Sequence, residues 1–299
     1  PKPVVIWLEF QDCAGCTESF IRSTSVLPSE VLLDYISLEY HETLMSSSGF
    51  DAEEAKREAM EKYKGKYILV VEGSISPEGK GVYCTISGKS NLDLLKEAAN
   101  GAGLVVAVGS CASWGGIPHA YPNPTGAVSV SEVLKGKRVV NIPGCPPIGD
   151  VMVSVIVGFV ITGKPPELDR LGRPKTFYGQ TIHDRCYRRP FYNAGRFADS
   201  FDDDKAKKGY CLYKLGCKGP ITRNACATIR WNGGLSFPIQ SGHPCFGCSE
   251  PDFWDRGMLY RPLSVVEGGF GIKEALAGVA VGAAVGAGMA YLNSKLKGK

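Results

Sequence analysis

The 299-residue chain has little net charge: 34 Lys and Arg stand against 30 Asp and Glu, a formal balance of +4. A dense basic face of the kind that grips nucleic acid is missing, which argues against that class of function. The chain also lacks an apolar segment led by Arg or Lys at its start. Val4–Phe10 (VVIWLEF) reads as a strand and not as a signal core, so the chain is expected to be cytoplasmic or already processed. An even cysteine count is missing too: eleven thiols cannot all pair within one chain. Core-forming residues are not scarce. At 44% hydrophobic composition the chain can bury an ample core, so it does not need the disulfide stapling typical of small secreted domains.

What is present concentrates in Thr181–Cys248. That stretch holds His183, Cys186, Cys211, Cys217, Cys226, Cys245 and Cys248, so six of the eleven cysteines fall within 63 residues. Gly216, Gly219, Pro220, Gly233, Gly234, Gly242, Pro244 and Gly247 lie among them and favour turns over helix or strand. An irregular scaffold of this kind needs something to hold it. Cys13-x-x-Cys16 and Cys245-x-x-Cys248 have zinc-ribbon spacing. Short cysteine spacings joined by more distant cysteines suit iron–sulfur clusters better. Seven donors cannot complete two four-ligand sites, so one site is a ligand short or borrows one.

The first half alternates apolar runs with helical stretches. Val4–Phe10, Val31–Tyr40, Tyr67–Glu72, Leu104–Val108 and Arg138–Ile142 read as strands. Asp51–Tyr63, Asn91–Ala99 and Asp150–Ile161 read as helices, and Thr17 or Ser19 is placed to cap one after Cys16. This pattern predicts an α/β fold: a doubly wound parallel sheet covered on both faces. Ligands in such sheets sit beyond the carboxyl ends of the strands. Cys13, Cys16, Cys111 and Cys145 each follow a predicted strand, so four thiolates are expected to converge at one edge, the complement of a 4Fe–4S cluster. Cys84 has no partner in this scheme and reads as an inert thiol.

Lys164–Gly179, rich in Pro, Gly and charge, reads as a boundary. The irregular segment beyond it is expected to hold little secondary structure apart from Tyr192–Phe201. His183 precedes Cys186 by three residues, close enough for both to ligate one metal, although a lone His is more often a surface or core side chain. Arg185, Arg188 and Arg189 form either a solvated patch or a docking face for an electron partner. Near the end, Ala275–Leu292 runs 18 residues without a charge. As a helix it would be about 27 Å long, just short of a bilayer core of about 30 Å. Gly278, Gly282 and Gly286 repeat at the small-xxx-small spacing of packed membrane helices. Membrane association is expected, with Lys295, Lys297 and Lys299 on the cytoplasmic side. The alternatives are a weakly ordered tail or a helix lying on a partner subunit.

Six blocks of residues, in order, resemble the small subunit of nickel–iron hydrogenases. They are Cys13-Ala-Gly-Cys16-Thr-Glu18, Gly109-Ser-Cys111-Ala-Ser-Trp114-Gly-Gly116, Pro143-Gly-Cys145-Pro-Pro147, His183-Asp-Arg-Cys186-Tyr-Arg-Arg-Pro190, Gly216-Cys217-Lys-Gly-Pro220 and Gly242-His-Pro-Cys245-Phe-Gly-Cys248-Ser-Glu-Pro251. The resemblance spans about Val4 to Pro262. It implies a flavodoxin-like domain over 1–163, an irregular cluster domain over 164–270, and an apolar C-terminal helix over 271–299 as a candidate membrane anchor.

The resemblance also implies the ligand sets. Cys13, Cys16, Cys111 and Cys145 match a proximal 4Fe–4S cluster. Cys226, Cys245 and Cys248 match a medial 3Fe–4S cluster, with Pro238 where a fourth cysteine would otherwise stand. His183, Cys186, Cys211 and Cys217 match a distal 4Fe–4S cluster. No catalytic residue is implied in this chain, because the nickel–iron centre of the family lies on the large subunit. That obligate partner would split dihydrogen, and this chain would pass the electrons to a cytochrome or membrane acceptor subunit near His183. Gly15 and Gly116 stand where oxygen-tolerant members carry extra cysteines, which implies the oxygen-sensitive type. Export through a twin-arginine signal, removed before Pro1, to the periplasmic face of the cytoplasmic membrane is also implied. The competing readings are an iron–sulfur subunit of a related respiratory or formate-linked complex and, from another class, a zinc-stapled interaction protein.

Overall fold

A computed structural model describes residues 2–257 and 259–263. Five parallel strands form its centre: β1 (Val4–Glu9), β2 (Ser37–His41), β3 (Ile68–Glu72), β4 (Leu104–Val108) and β5 (Val139–Ile142). Their order in the sheet is β2-β1-β3-β4-β5, the 2-1-3-4-5 order of flavodoxin-like doubly wound sheets. β1, β3, β4 and β5 are buried along their whole length, as expected where helices cover both faces and no alternation with polar residues is needed.

The pleat divides the core in two. Ile6, Leu8, Leu69, Val71, Val105 and Ala107 face one side and pack with Ala52, Ala59, Leu94, Leu95 and Ala98. Those alanines and leucines come from α2 (Gly49–Lys62) and α3 (Asn91–Gly101), which follow α1 (Gly15–Phe20) in the chain. On the other face Val5, Trp7, Val70, Val106, Val108 and Ile142 meet Val151, Met152, Val155 and Ile156. These belong to α5 (Gly149–Thr162), and the short α4 (Gly109–Trp114) precedes it. Each fully buried Val or Leu contributes roughly 1.5–3 kcal/mol relative to exposure.

The same apolar cluster continues through Tyr178, Ile182 and Leu212 to Cys217, Cys226 and Cys245. The Tyr178 hydroxyl donates to the Pro143 carbonyl at 2.8 Å, which ties the segment after Lys164 to the end of β5. Beyond Gly163 the described chain has short helical turns, among them Ile182–Arg185, Arg189–Asn193 and Asp204–Lys207, and single bridges such as Thr181 to Arg223.

Three sequence expectations are corrected. Val31–Tyr40 is not one strand: Val31–Tyr35 forms a wide helical turn, with the Ile36 amide donating to the Val31 carbonyl at 3.0 Å, and β2 begins only at Ser37. Tyr192–Phe201 is not one regular element: the turn Arg189–Asn193 starts earlier and ends within it, and Phe197 makes a single bridge to Cys211. Neither Thr17 nor Ser19 caps α1, whose N-cap is Ala14 in the left-handed region at φ 55°. Among the described residues no helix is long and apolar enough to cross a membrane. The Ala275–Leu292 expectation lies outside the described residues.

Candidate iron–sulfur sites

All eleven cysteines are free thiols. Ten of them, with His183, gather into three adjoining groups, and Cys84 stands apart.

The first group lies where β1, β4 and β5 end. Cys13 and Cys145 are exposed, whereas Cys16 and Cys111 are half-buried. Gly109 makes the turn out of β4 at φ +84°, and a Cβ there would sit 2.4 Å from Cys16 Sγ. Only glycine leaves room for that thiol. Ser110 laces the loops together: its amide donates to the Gly144 carbonyl at 2.8 Å, and its hydroxyl accepts from the Gly144 amide at 3.0 Å. Burial pushes the Cys111 thiol up to about 11 and the Cys145 thiol up to about 12. For Cys16, burial is followed by the charges of Glu72 and of Cys111, Cys145 and Cys13, all of which oppose ionisation. Thiols in such mutual reach resist ionising together unless a cationic centre is among them.

Behind this group is a buried polar network that sequence reasoning missed. The Glu72 carboxylate accepts from the Cys16 amide at 2.9 Å, the Thr17 hydroxyl at 2.6 Å and the Trp7 indole at 3.2 Å. Glu9 pairs with Glu72 across β1 and β3, and the Thr17 hydroxyl also lies 3.2 Å from both Glu9 and His41. Carboxylate oxygens of Glu9, Asp12 and Glu72 lie within 4.8 Å of one another. The signal was readable: VVIWLE and YILVVE are apolar runs that both end in glutamate.

The second group lines one cavity. Cys226, Cys245 and Cys248 share it with Asn224, Trp231, Phe237, Pro238 and Ile239, and Cys145 of the first group borders it. Burial is the largest influence on all three thiols and raises them, Cys226 to about 12. Asn224 Nδ2 is buried here without a hydrogen-bond partner among the described residues, and the buried Trp231 Nε1 has only the Cys226 thiol facing it. An unsatisfied buried donor costs about 1–3 kcal/mol, and the sulfur atoms of a cluster are acceptors that would relieve it. The donor set and these two N–H groups fit an iron–sulfur cluster.

In the third group, His183, Cys186, Cys211 and Cys217 line a pocket with Arg188, Arg189 and Tyr192. Thr181 caps the turn Ile182–Arg185, its hydroxyl accepting from the Asp184 amide at 3.2 Å, and so fixes His183 and Cys186 at its two ends. Burial, then the Arg189 charge, lowers the His183 pKa and so favours the neutral imidazole that a ligand requires. The His183 ring meets Tyr192 edge-on at 4.5 Å. The expected basic cluster divides: Arg185 and Arg189 are exposed, but Arg188 is buried and donates to the Tyr210 carbonyl at 2.7 Å.

The groups are contiguous. Ser110 in the first donates its hydroxyl to the Cys248 carbonyl in the second, and Trp114 Nε1 donates to the Ser249 carbonyl at 3.2 Å. The Cys245 amide of the second group donates to Cys217 Sγ of the third at 3.4 Å. Cys84 is half-buried against the α2–α3 side of the core, and burial raises its thiol to about 11.

Comparison with known proteins matches two family models. The model for the C-terminal part of the NiFe/NiFeSe hydrogenase small subunit matches residues 178–261. The model for the 20 Kd subunit of NADH ubiquinone oxidoreductase matches residues 13–159. The chain is 52% identical to the uptake hydrogenase small subunit of Azotobacter vinelandii over 97% of its own length and 81% of that protein. It is 53% identical to the hydrogenase-1 small chain of Citrobacter freundii over 87% of its length and 69% of that protein. Among solved structures, it superimposes on a reduced, active Ni-Fe-Se hydrogenase from Desulfomicrobium baculatum with a TM-score of 0.81 at 38% identity, covering 88% of this chain and 99% of that one.

Proposed function

The chain belongs to the family of nickel–iron hydrogenase small subunits, and on that premise we propose that it carries electrons from dihydrogen along three iron–sulfur clusters, in both directions. Dihydrogen would be split at a nickel–iron centre on a large partner subunit. Clusters bound in the three donor groups would accept and pass on single electrons. Cys13, Cys16, Cys111 and Cys145 would hold a proximal 4Fe–4S cluster, and Cys226, Cys245 and Cys248 a medial 3Fe–4S cluster. His183, Cys186, Cys211 and Cys217 would hold a distal 4Fe–4S cluster.

The observation that carries this reading is the contiguity of the groups, joined through Ser110–Cys248 and Cys245–Cys217. Each group has its own task in it. Exposed Cys13 and Cys145 leave the proximal end open to the large subunit. Buried, apolar Phe237 and Ile239 line the medial cavity and shield it from water. Half-buried His183, with exposed Arg185 and Arg189 beside it, gives the distal end a basic surface for a cytochrome or membrane acceptor subunit.

Gly15 and Gly116 support assignment to the oxygen-sensitive type. A Cβ at Gly116 would lie 2.6 Å from Cys111 Sγ, and one at Gly15 3.1 Å from Cys13 Sγ. The family resemblance and the uncharged run Ala275–Leu292 support a location at the periplasmic face of the cytoplasmic membrane after twin-arginine export. The test is to isolate the chain with its large partner and add dihydrogen. The reading expects reduction of an artificial acceptor, lost in air and abolished by His183→Ala with the proximal centre still reducible. Undiminished acceptor reduction in that variant would refute the distal exit.

A further inference from the structure

We propose that the indole N–H of Trp231 and the side-chain amide of Asn224 donate hydrogen bonds to the cofactor held by Cys226, Cys245 and Cys248, and so raise its reduction potential. This deepens the reading of that cavity as an iron–sulfur site and rests on it.

The polar atoms around the cavity can be accounted for one by one. Thr222 lines it, but its hydroxyl is spent on the Lys218 carbonyl at 2.6 Å. Ser249 lines it too, and its hydroxyl donates to the Arg223 carbonyl at 2.9 Å. The Asn224 carbonyl oxygen accepts from the Ala225 amide at 2.7 Å, which fixes the side chain and leaves Nδ2 over. Trp231 is pinned by its backbone: its amide donates to the Ser236 carbonyl at 2.8 Å, and its carbonyl accepts from the Leu235 amide at 3.0 Å. Gly233 and Gly234, both at positive φ, make the turn between them. The ring is therefore held against the cavity by its own loop. Two N–H groups remain, both buried: the Trp231 indole N–H faces the Cys226 thiol, and Asn224 Nδ2 meets no acceptor at hydrogen-bond distance among the described residues. Hydrogen bonds to cluster or thiolate sulfur favour the more negative, reduced form, so donors fixed in place raise the potential.

The experiment uses the intact heteromeric enzyme. Trp231→Phe removes the N–H and keeps an apolar ring. In an EPR-monitored redox titration, this variant is expected to lower the midpoint of the medial centre. The oxidised-to-reduced ratio at the wild-type midpoint should rise several-fold, where tenfold corresponds to about 59 mV for one electron. Asn224→Leu should act in the same direction. Pulsed EPR on wild-type enzyme carrying ¹⁵N-indole tryptophan should detect a ¹⁵N coupling to the oxidised medial centre, a readout that needs no variant to fold. An unshifted midpoint in Trp231→Phe with its medial signal retained, or no ¹⁵N coupling in the wild type, overturns the proposal. No paramagnetic medial centre at all in the wild type would instead overturn the parent reading.

Discussion

The two halves of the molecule hold their sulfur donors by different means. In the first half, regular strands deliver Cys13, Cys111 and Cys145 to one sheet edge, and a core of valines and leucines on both faces fixes that edge. In the second half the donors sit on short turns, secured by caps such as Thr181 and by single side-chain bonds such as Arg188 to Tyr210. A sheet edge stays in place whether or not a metal binds. A chain of turns whose buried thiols face one another gains much of its order from the cofactor.

Removing the iron should give the largest contrast. Anaerobic chelation is expected to expose the amides of residues 181–248 to hydrogen exchange while those of β1, β3 and β4 stay protected. Equal loss in both halves would erase the distinction. Gly109→Ala works from the other side. The positive φ costs the new residue about 1–3 kcal/mol, and its Cβ displaces Cys16 Sγ. Iron should be lost from the first group alone, with the EPR signal of the second group retained.

Lys218→Met tests the second half more gently. Its buried ammonium donates to the carbonyls of Gly216 at 2.8 Å and Arg261 at 2.7 Å, beside Cys217 and Cys245. Losing those bonds should cost about 1–3 kcal/mol, read as a lower thermal midpoint. Removing the positive charge should also lower the potentials of the medial and distal centres together. The smallest effect belongs to the sheet half. Burial raises the Glu42 carboxyl from 4.5 to about 8. The folded chain therefore holds an extra proton between those values, and its stability falls as pH rises through that window. Screening at this partly exposed site reduces the effect to roughly 1–2 kcal/mol. Glu42→Gln should flatten the slope, measured by denaturant melts from pH 5 to 8.

The same contrast explains what could be read from the sequence. VVIWLEF, YILVVE and LVVAV are continuous apolar runs, and a parallel sheet buried on both faces requires such runs, so the strands and their converging cysteines were legible. Val31–Tyr40 misled because Val31 and Ile36, both buried, are five residues apart and close a wide turn, which strand patterning does not register. In the second half, spacing identified the donors but could not sort them. Their grouping depends on which turn meets which across the apolar cluster around Ile182, Leu212 and Phe237. Trp231 and Asn224 were invisible for a different reason: which N–H groups face a cavity is a property of the surrounding fold and leaves no mark in composition.

The most direct test is quantitative iron analysis combined with an EPR redox titration of the chain isolated with its large partner. Two four-iron centres and one three-iron centre predict about eleven irons per chain and three separately titrating signals. About eight irons or fewer, with only two titrating centres, would contradict the three-step relay.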